Sequence, residues 1–127
     1  MTNEELMEKA KEVSKNAYVQ YSNFPVGACI LTENGKVYAG CNFENSSYGL
    51  TICAERNAVG SAIADGEKVF KAIAIFSPKM HNCFPCGACR QVLSEFQAQE
   101  GLDIILEGEN GLNIFKLNDI FPEGFKL

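Results

Sequence analysis

The 127-residue chain has no tryptophan, a single histidine and no apolar run approaching the roughly 20 residues of a membrane helix. A membrane span is therefore not expected. Basic residues are also scarce: 11 Lys and Arg stand against 16 Asp and Glu, a net charge of −5. That balance disfavours a surface built to hold a phosphate backbone or an anionic lipid, so neither nucleic acid nor membrane is expected as a partner. A small, uncharged molecule fits better. Proline and glycine number only 4 and 11, and 46% of the residues are hydrophobic, which excludes disorder and low-complexity repeats. The opening MTNEELMEKAKE lacks the apolar stretch of a secretory signal, so the expected location is cytoplasmic. The length suits one hydrophobic core and not two, so residues 1–127 are expected to form a single domain.

What the chain does have is sulfur, in six cysteines beside the one histidine. In a reducing compartment these read as metal ligands, reactive groups or buried packing before they read as disulfides.

Leu6, Ala10, Val13, Ala17 and Tyr21 recur at helical spacing, which predicts a helix that starts at a Thr2/Glu5 capping box and stops before Pro25. Residues 26–31 and 37–42 read as two strands around Glu33-Asn34-Gly35-Lys36, a tight hairpin signal. Residues 43–50 are polar and small and read as a loop of the kind that carries function. Then come a helix over 52–65 closed by Gly66, a strand over 69–77, a loop, a helix over 86–97 and a strand over 103–106. Asn110-Gly111 marks a turn to an edge strand over 112–117, and Asn118 could cap a short final turn. The alternation implies a right-handed crossover with parallel pairing of the later strands, added to an antiparallel hairpin: a mixed α/β sheet. No domain boundary or internal repeat interrupts it.

Cys86-Gly87-Ala88-Cys89 follows Pro85 and opens a helix, and Cys53 also stands at a helix start. Helix N-termini lower thiol pKa, which suits a metal ligand or a redox nucleophile. A redox pair has no use for the third thiolate. Glu55, two residues past Cys53, is close but is not a fourth ligand. Three protein ligands leave zinc one open position for water, whose pKa falls to about 7, and a nearby carboxylate can then hold and move its proton. Three thiolates on Zn²⁺ sum to −1, and Arg56 can donate to a thiolate and offset that charge. A closed structural zinc site with Cys83 or His81 as fourth ligand, and a thioredoxin-like dithiol at Cys86 and Cys89, both leave Glu55 unexplained. Cys83, Cys86 and Cys89 resemble part of an iron–sulfur run, but Arg90-Gln91-Val92-Leu93 follows where another cysteine and a proline would be needed. His81 reads as a solvated loop residue, and Cys29 and Cys41 as small buried hydrophobes.

Cys53-Ala54-Glu55 and Pro85-Cys86-Gly87-Ala88-Cys89 match the all-cysteine form of the zinc deaminase signature. With Phe24-Pro25-Val26-Gly27-Ala28, Gly40-Cys41-Asn42-Phe43-Glu44-Asn45 and the continuations through Arg56 and Arg90-Gln91, the chain resembles the small homotetrameric cytidine deaminases over nearly its whole length. The resemblance implies a three-layer α/β/α fold with a mixed five-stranded sheet and helices on both faces. It implies one Zn²⁺ per subunit on Cys53, Cys86 and Cys89, with Glu55 shuttling protons between water, the pyrimidine N3 and the leaving amine. The implied reaction is hydrolytic deamination of cytidine and 2'-deoxycytidine to the uridines in pyrimidine salvage. By the same resemblance Asn42 and Glu44 hold the ribose 3'-hydroxyl, Phe24 packs on the base, Ala54 belongs to the substrate pocket, and Tyr48 and Phe125 reach a neighbouring subunit's site in a homotetramer. A carboxylate at Glu44 would repel a 3'-phosphate, which agrees with a nucleoside and not a polynucleotide as substrate. Blasticidin-type deaminases share the zinc motifs, but Asn42-Phe43-Glu44-Asn45 resembles the nucleoside form of the loop. Ile52 and Asn57 depart from the common pattern without removing a ligand or the shuttle.

Overall fold

Reciprocal hydrogen bonds start the first helix, from Glu5 N–H to Thr2 Oγ1 at 3.0 Å and from Thr2 N–H to Glu5 Oε1 at 2.8 Å. In the computed structural model, which describes residues 1–127, helix α1 spans Asn3–Ser14. It stops well short of the periodicity that points to Tyr21, so Ala17 and Tyr21 lie outside it. The cause is tertiary. Tyr18 pairs by its backbone with Asn42 and Glu44, at 3.0 and 2.8 Å, and this lateral pairing draws the chain out of the helical path. The buried face is Leu6, Met7, Ala10 and Ser14, with Val13 only half-buried.

Strands β1 (Gly27–Thr32) and β2 (Val37–Cys41) form the expected antiparallel hairpin. Gly35, at φ 84°, is the one turn residue in the left-handed region, so the turn is of the ordinary kind closed by a glycine. Helix α2 (Ala54–Ala64), strand β3 (Phe70–Phe76), helix α3 (Gly87–Ser94), strands β4 (Asp103–Gly108) and β5 (Gly111–Lys116) and a final turn α4 (Leu117–Ile120) complete the order. Asn118 does not cap α4; it lies within it, and its Oδ1 accepts from Gln97 Nε2 at 3.1 Å.

The five strands run in the order β2-β1-β3-β4-β5. Only β3 and β4 pair in parallel, joined through α3, and the other neighbours are antiparallel. Helix α1 covers one face over Cys29, Ala72, Ala74 and Ile105. Residues of α2, α3 and α4 cover the other, around Ile30, Phe70, Ile73, Ile75 and Leu106. This is the expected three-layer arrangement.

Two glycines let the layers close. A Cβ on Gly27 would stand 2.0 Å from the Ala10 carbonyl oxygen of α1. One on Gly40 would stand 2.5 Å from Ala58 N and 2.7 Å from Ala54 O, so the first turns of α2 rest directly on β2.

Candidate active site

Cys53 is the N-cap of α2 and Cys86 the N-cap of α3, both in extended backbone and neither making a side-chain capping bond. Both residues therefore stand at the positive ends of helix dipoles. Cys89, one turn into α3, is fully buried. The three sulfurs lie within 4.8 Å of one another, and Cys53 and Cys86 are 3.9 Å apart. A disulfide would need about 2.05 Å. A tetrahedral zinc ion with Zn–S bonds of about 2.3 Å sets its sulfurs about 3.8 Å apart, so the donor set fits that ion in kind and in spacing.

Arg56 Nη2 donates to Cys53 Sγ at 3.4 Å. As thiols the group shares protons. Hydrogen bonding from Cys89, with help from Arg56, pulls Cys53 down to about 5, and the donor role and burial push Cys89 up. The buried Arg56 Nε has no partner within the chain. Glu55, only 5% exposed, has its carboxyl raised to about 7, first by burial and further by the Cys53 charge, against the pull of its own backbone N–H. Ala54, the first residue of α2, is fully buried.

The polar loop is joined to this group by backbone pairing of Phe43 with Ile52, the residue before Cys53, both bonds at 3.1 Å. Asn42 braces the chain around Phe24: its Nδ2 donates to Phe24 O at 3.0 Å and its Oδ1 accepts from Val26 N at 2.9 Å. Glu44 Oε1 accepts from the backbone amides of Tyr21 and Ser22 at 3.0 and 3.1 Å, and Ser22 Oγ donates to Glu44 Oε2. The Ser22 hydrogen bond leads in holding the Glu44 carboxyl below the usual carboxylate range. Glu44, Tyr21, Ser22, Tyr48 and Thr51 line an open hollow of about 170 Å³. Tyr48 and Phe125 are each 71% exposed; the Tyr48 ring lies 5.6 Å from that of Tyr21 at the rim of this hollow, and Phe125 is held by its backbone to the Gln91 side chain.

Three residues that hold this geometry carry no role on sequence grounds: Arg90 and Asn57 enter only within or against the motif pattern, and Ser22 is not singled out. Arg90 donates to Pro85 O and Ile120 O, both at 2.7 Å, and ties the Cys86 loop to α4. Asn57 Nδ2 donates to Cys41 O at 2.7 Å and joins α2 to the strand that leads into Asn42. Ser22 Oγ accepts from Phe24 N at 3.0 Å, a local turn that Ser two residues before an extended segment could have signalled. Cys29 and Cys83 are buried and both pushed up to about 11 by burial, as packing residues should be. Cys41 is only half-buried. His81 is exposed and borders a separate hollow near Phe76, Lys79 and Glu107.

Residues 1–102 match the family described as the cytidine and deoxycytidylate deaminase zinc-binding region. The cytidine deaminase of Sporosarcina psychrophila is 50% identical over 93 residues, which cover 73% of this chain and 68% of that protein. That of Mycobacterium tuberculosis is 38% identical over 118 residues, covering 93% and 85%. The crystal structure of a cytidine deaminase from Burkholderia pseudomallei superimposes with a TM-score of 0.90 at 43% identity, covering 98% of this chain and all of that one.

Proposed function

We propose that this chain, which belongs to the cytidine and deoxycytidylate deaminase zinc-binding family, is a cytidine deaminase that hydrolyses cytidine and 2'-deoxycytidine to the uridines and ammonia. The observation that carries this is a buried carboxyl beside three converging sulfurs. Cys53, Cys86 and Cys89 would hold zinc, which when bound supplies Lewis-acid activation of the water that displaces the amine. The chain's own groups do the remaining work. Glu55, its carboxyl raised by burial, holds a proton near neutrality, passes it to the pyrimidine N3, and takes and returns a second one to the departing amine. Water adds at C4 across the C4–N3 double bond to give a tetrahedral intermediate, and the C4–N bond to the amine then breaks as C4=O forms, so each turnover consumes one water and releases one ammonia.

Phe24 packs on the base, Asn42 and Glu44 hold the ribose 3'-hydroxyl, and Arg56 offsets the sulfur charge. A closed structural zinc site would need a fourth ligand, and neither Cys83 nor His81 joins the three-sulfur group. Tyr48 and Phe125, large and exposed, would complete neighbouring pockets in a homotetramer, with residues 1–127 acting as one domain. No helix is long and apolar enough to cross a membrane, and a cytoplasmic role in nucleoside salvage accords with the acidic chain.

The test is zinc content per chain together with the loss of cytidine absorbance. One zinc per chain with turnover is expected. Glu55→Gln should keep the zinc and lose about 10² to 10⁴ in rate, because the ligands survive and proton transfer does not. Near-normal turnover in that variant would overturn the mechanism.

A further inference from the structure

We propose that Ser22 is a positioning residue for the sugar end of the pocket, acting through Glu44 and Phe24 together. The proposal rests on the reading that Glu44 binds a sugar hydroxyl. Ser22 belongs to the irregular segment between α1 and β1, whereas Glu44 follows β2, so the contact adds a side-chain tie to the backbone pairing of Tyr18 with Asn42 and Glu44 that already joins the two segments.

A carboxylate offers about four acceptor positions. Glu44 Oε1 fills both of its own with the amides of Tyr21 and Ser22. Those two bonds meet at one atom, so alone they leave the carboxylate free to pivot about Oε1. The Ser22 hydroxyl stops that pivot by donating to Oε2. Its single proton is spent on that bond, while its oxygen accepts the Phe24 amide at 3.0 Å. One acceptor position on Oε2 remains, with its direction fixed by Ser22. Asn42 then continues the chain of bonds by bracing the other side of Phe24, through Phe24 O and Val26 N. Glu44, Ser22, Phe24 and Asn42 thus form one connected network, and Ser22 is the only side chain in it that touches both Glu44 and the Phe24 backbone.

Ser22 is exposed and outside both cores, so its replacement should leave the fold intact. The experiment compares cytidine with 3'-deoxycytidine on the zinc-loaded protein. In Ser22→Ala, KM for cytidine should rise about fivefold, the loss of one hydrogen bond's worth of alignment, while kcat and the KM for 3'-deoxycytidine stay within about twofold. Ser22→Thr, which keeps the hydroxyl, should restore the cytidine KM. A parallel change for both nucleosides, no change at all, or failure of threonine to restore would overturn the role of Ser22. A Glu44→Ala arm separates the two claims. If it leaves the preference for cytidine over 3'-deoxycytidine intact, the sugar reading of Glu44 fails. If it abolishes that preference while Ser22→Ala preserves it, only the Ser22 proposal falls.

Discussion

Arg56 shows how much one side chain can matter to an anionic site. Three thiolates on a divalent ion leave a net negative charge, which weakens the ion as a Lewis acid, and the guanidinium 3.4 Å from Cys53 Sγ draws charge off that sulfur. Arg56→Gln should therefore keep zinc, since every ligand survives, yet lower kcat about tenfold. Metal analysis alongside steady-state kinetics checks both halves, and an unchanged kcat would remove Arg56 from the chemistry. Spacing alone made Cys53, Cys86, Cys89, Glu55 and Arg56 legible, because helix starts and first-turn positions follow from local sequence. The partners of Glu44 were not legible, because Tyr21 and Ser22 lie more than 20 residues away and reach it only after the chain leaves α1 early.

At the scale of elements, the site depends on where α2 rests. Its first turns lie directly on Gly40, with no room for a Cβ against Ala54 O and Ala58 N. Gly40→Ala should push that end of α2 off the sheet, carry Cys53 and Glu55 with it, and destabilise the protein by about 3 kcal/mol. Gly27→Ala should destabilise by a similar amount through α1 on the opposite face. The two should differ in function. Zinc retention and turnover of the folded fraction should fall in Gly40→Ala and persist in Gly27→Ala, as urea titration and assay would show. Thr2→Ala, which removes only the α1 capping box, should cost about 1 kcal/mol and leave kinetics unchanged. Strand and helix identities were readable from periodicity and turn residues, including the β1–β2 hairpin and Gly66 after α2. The end of α1 was not, because apolar spacing continues to Tyr21 while backbone pairing of Tyr18 with the segment just after β2 wins locally.

For the whole molecule, the exposed rings of Tyr48 and Phe125 favour assembly. Under the proposed homotetramer, sedimentation of the active protein should give a species about four times the 13.9 kDa chain mass, and an active monomer would overturn the proposed shared pocket. Within one chain, both faces of the single sheet carry core, so urea unfolding should pass through one transition, with circular dichroism and tyrosine fluorescence coinciding. The sequence by itself determined the family signature, the three cysteines and the carboxyl proposed for the site, and the mixed α/β architecture, since each is written in residue type, periodicity and motif. Only the tertiary structure decided how Cys53 and Cys86 approach to 3.9 Å, that Glu55 is buried so that its carboxyl is raised, and which groups hydrogen-bond Glu44. Those properties arise where segments distant in sequence meet, and there burial and hydrogen-bond partners are set by packing rather than by local pattern.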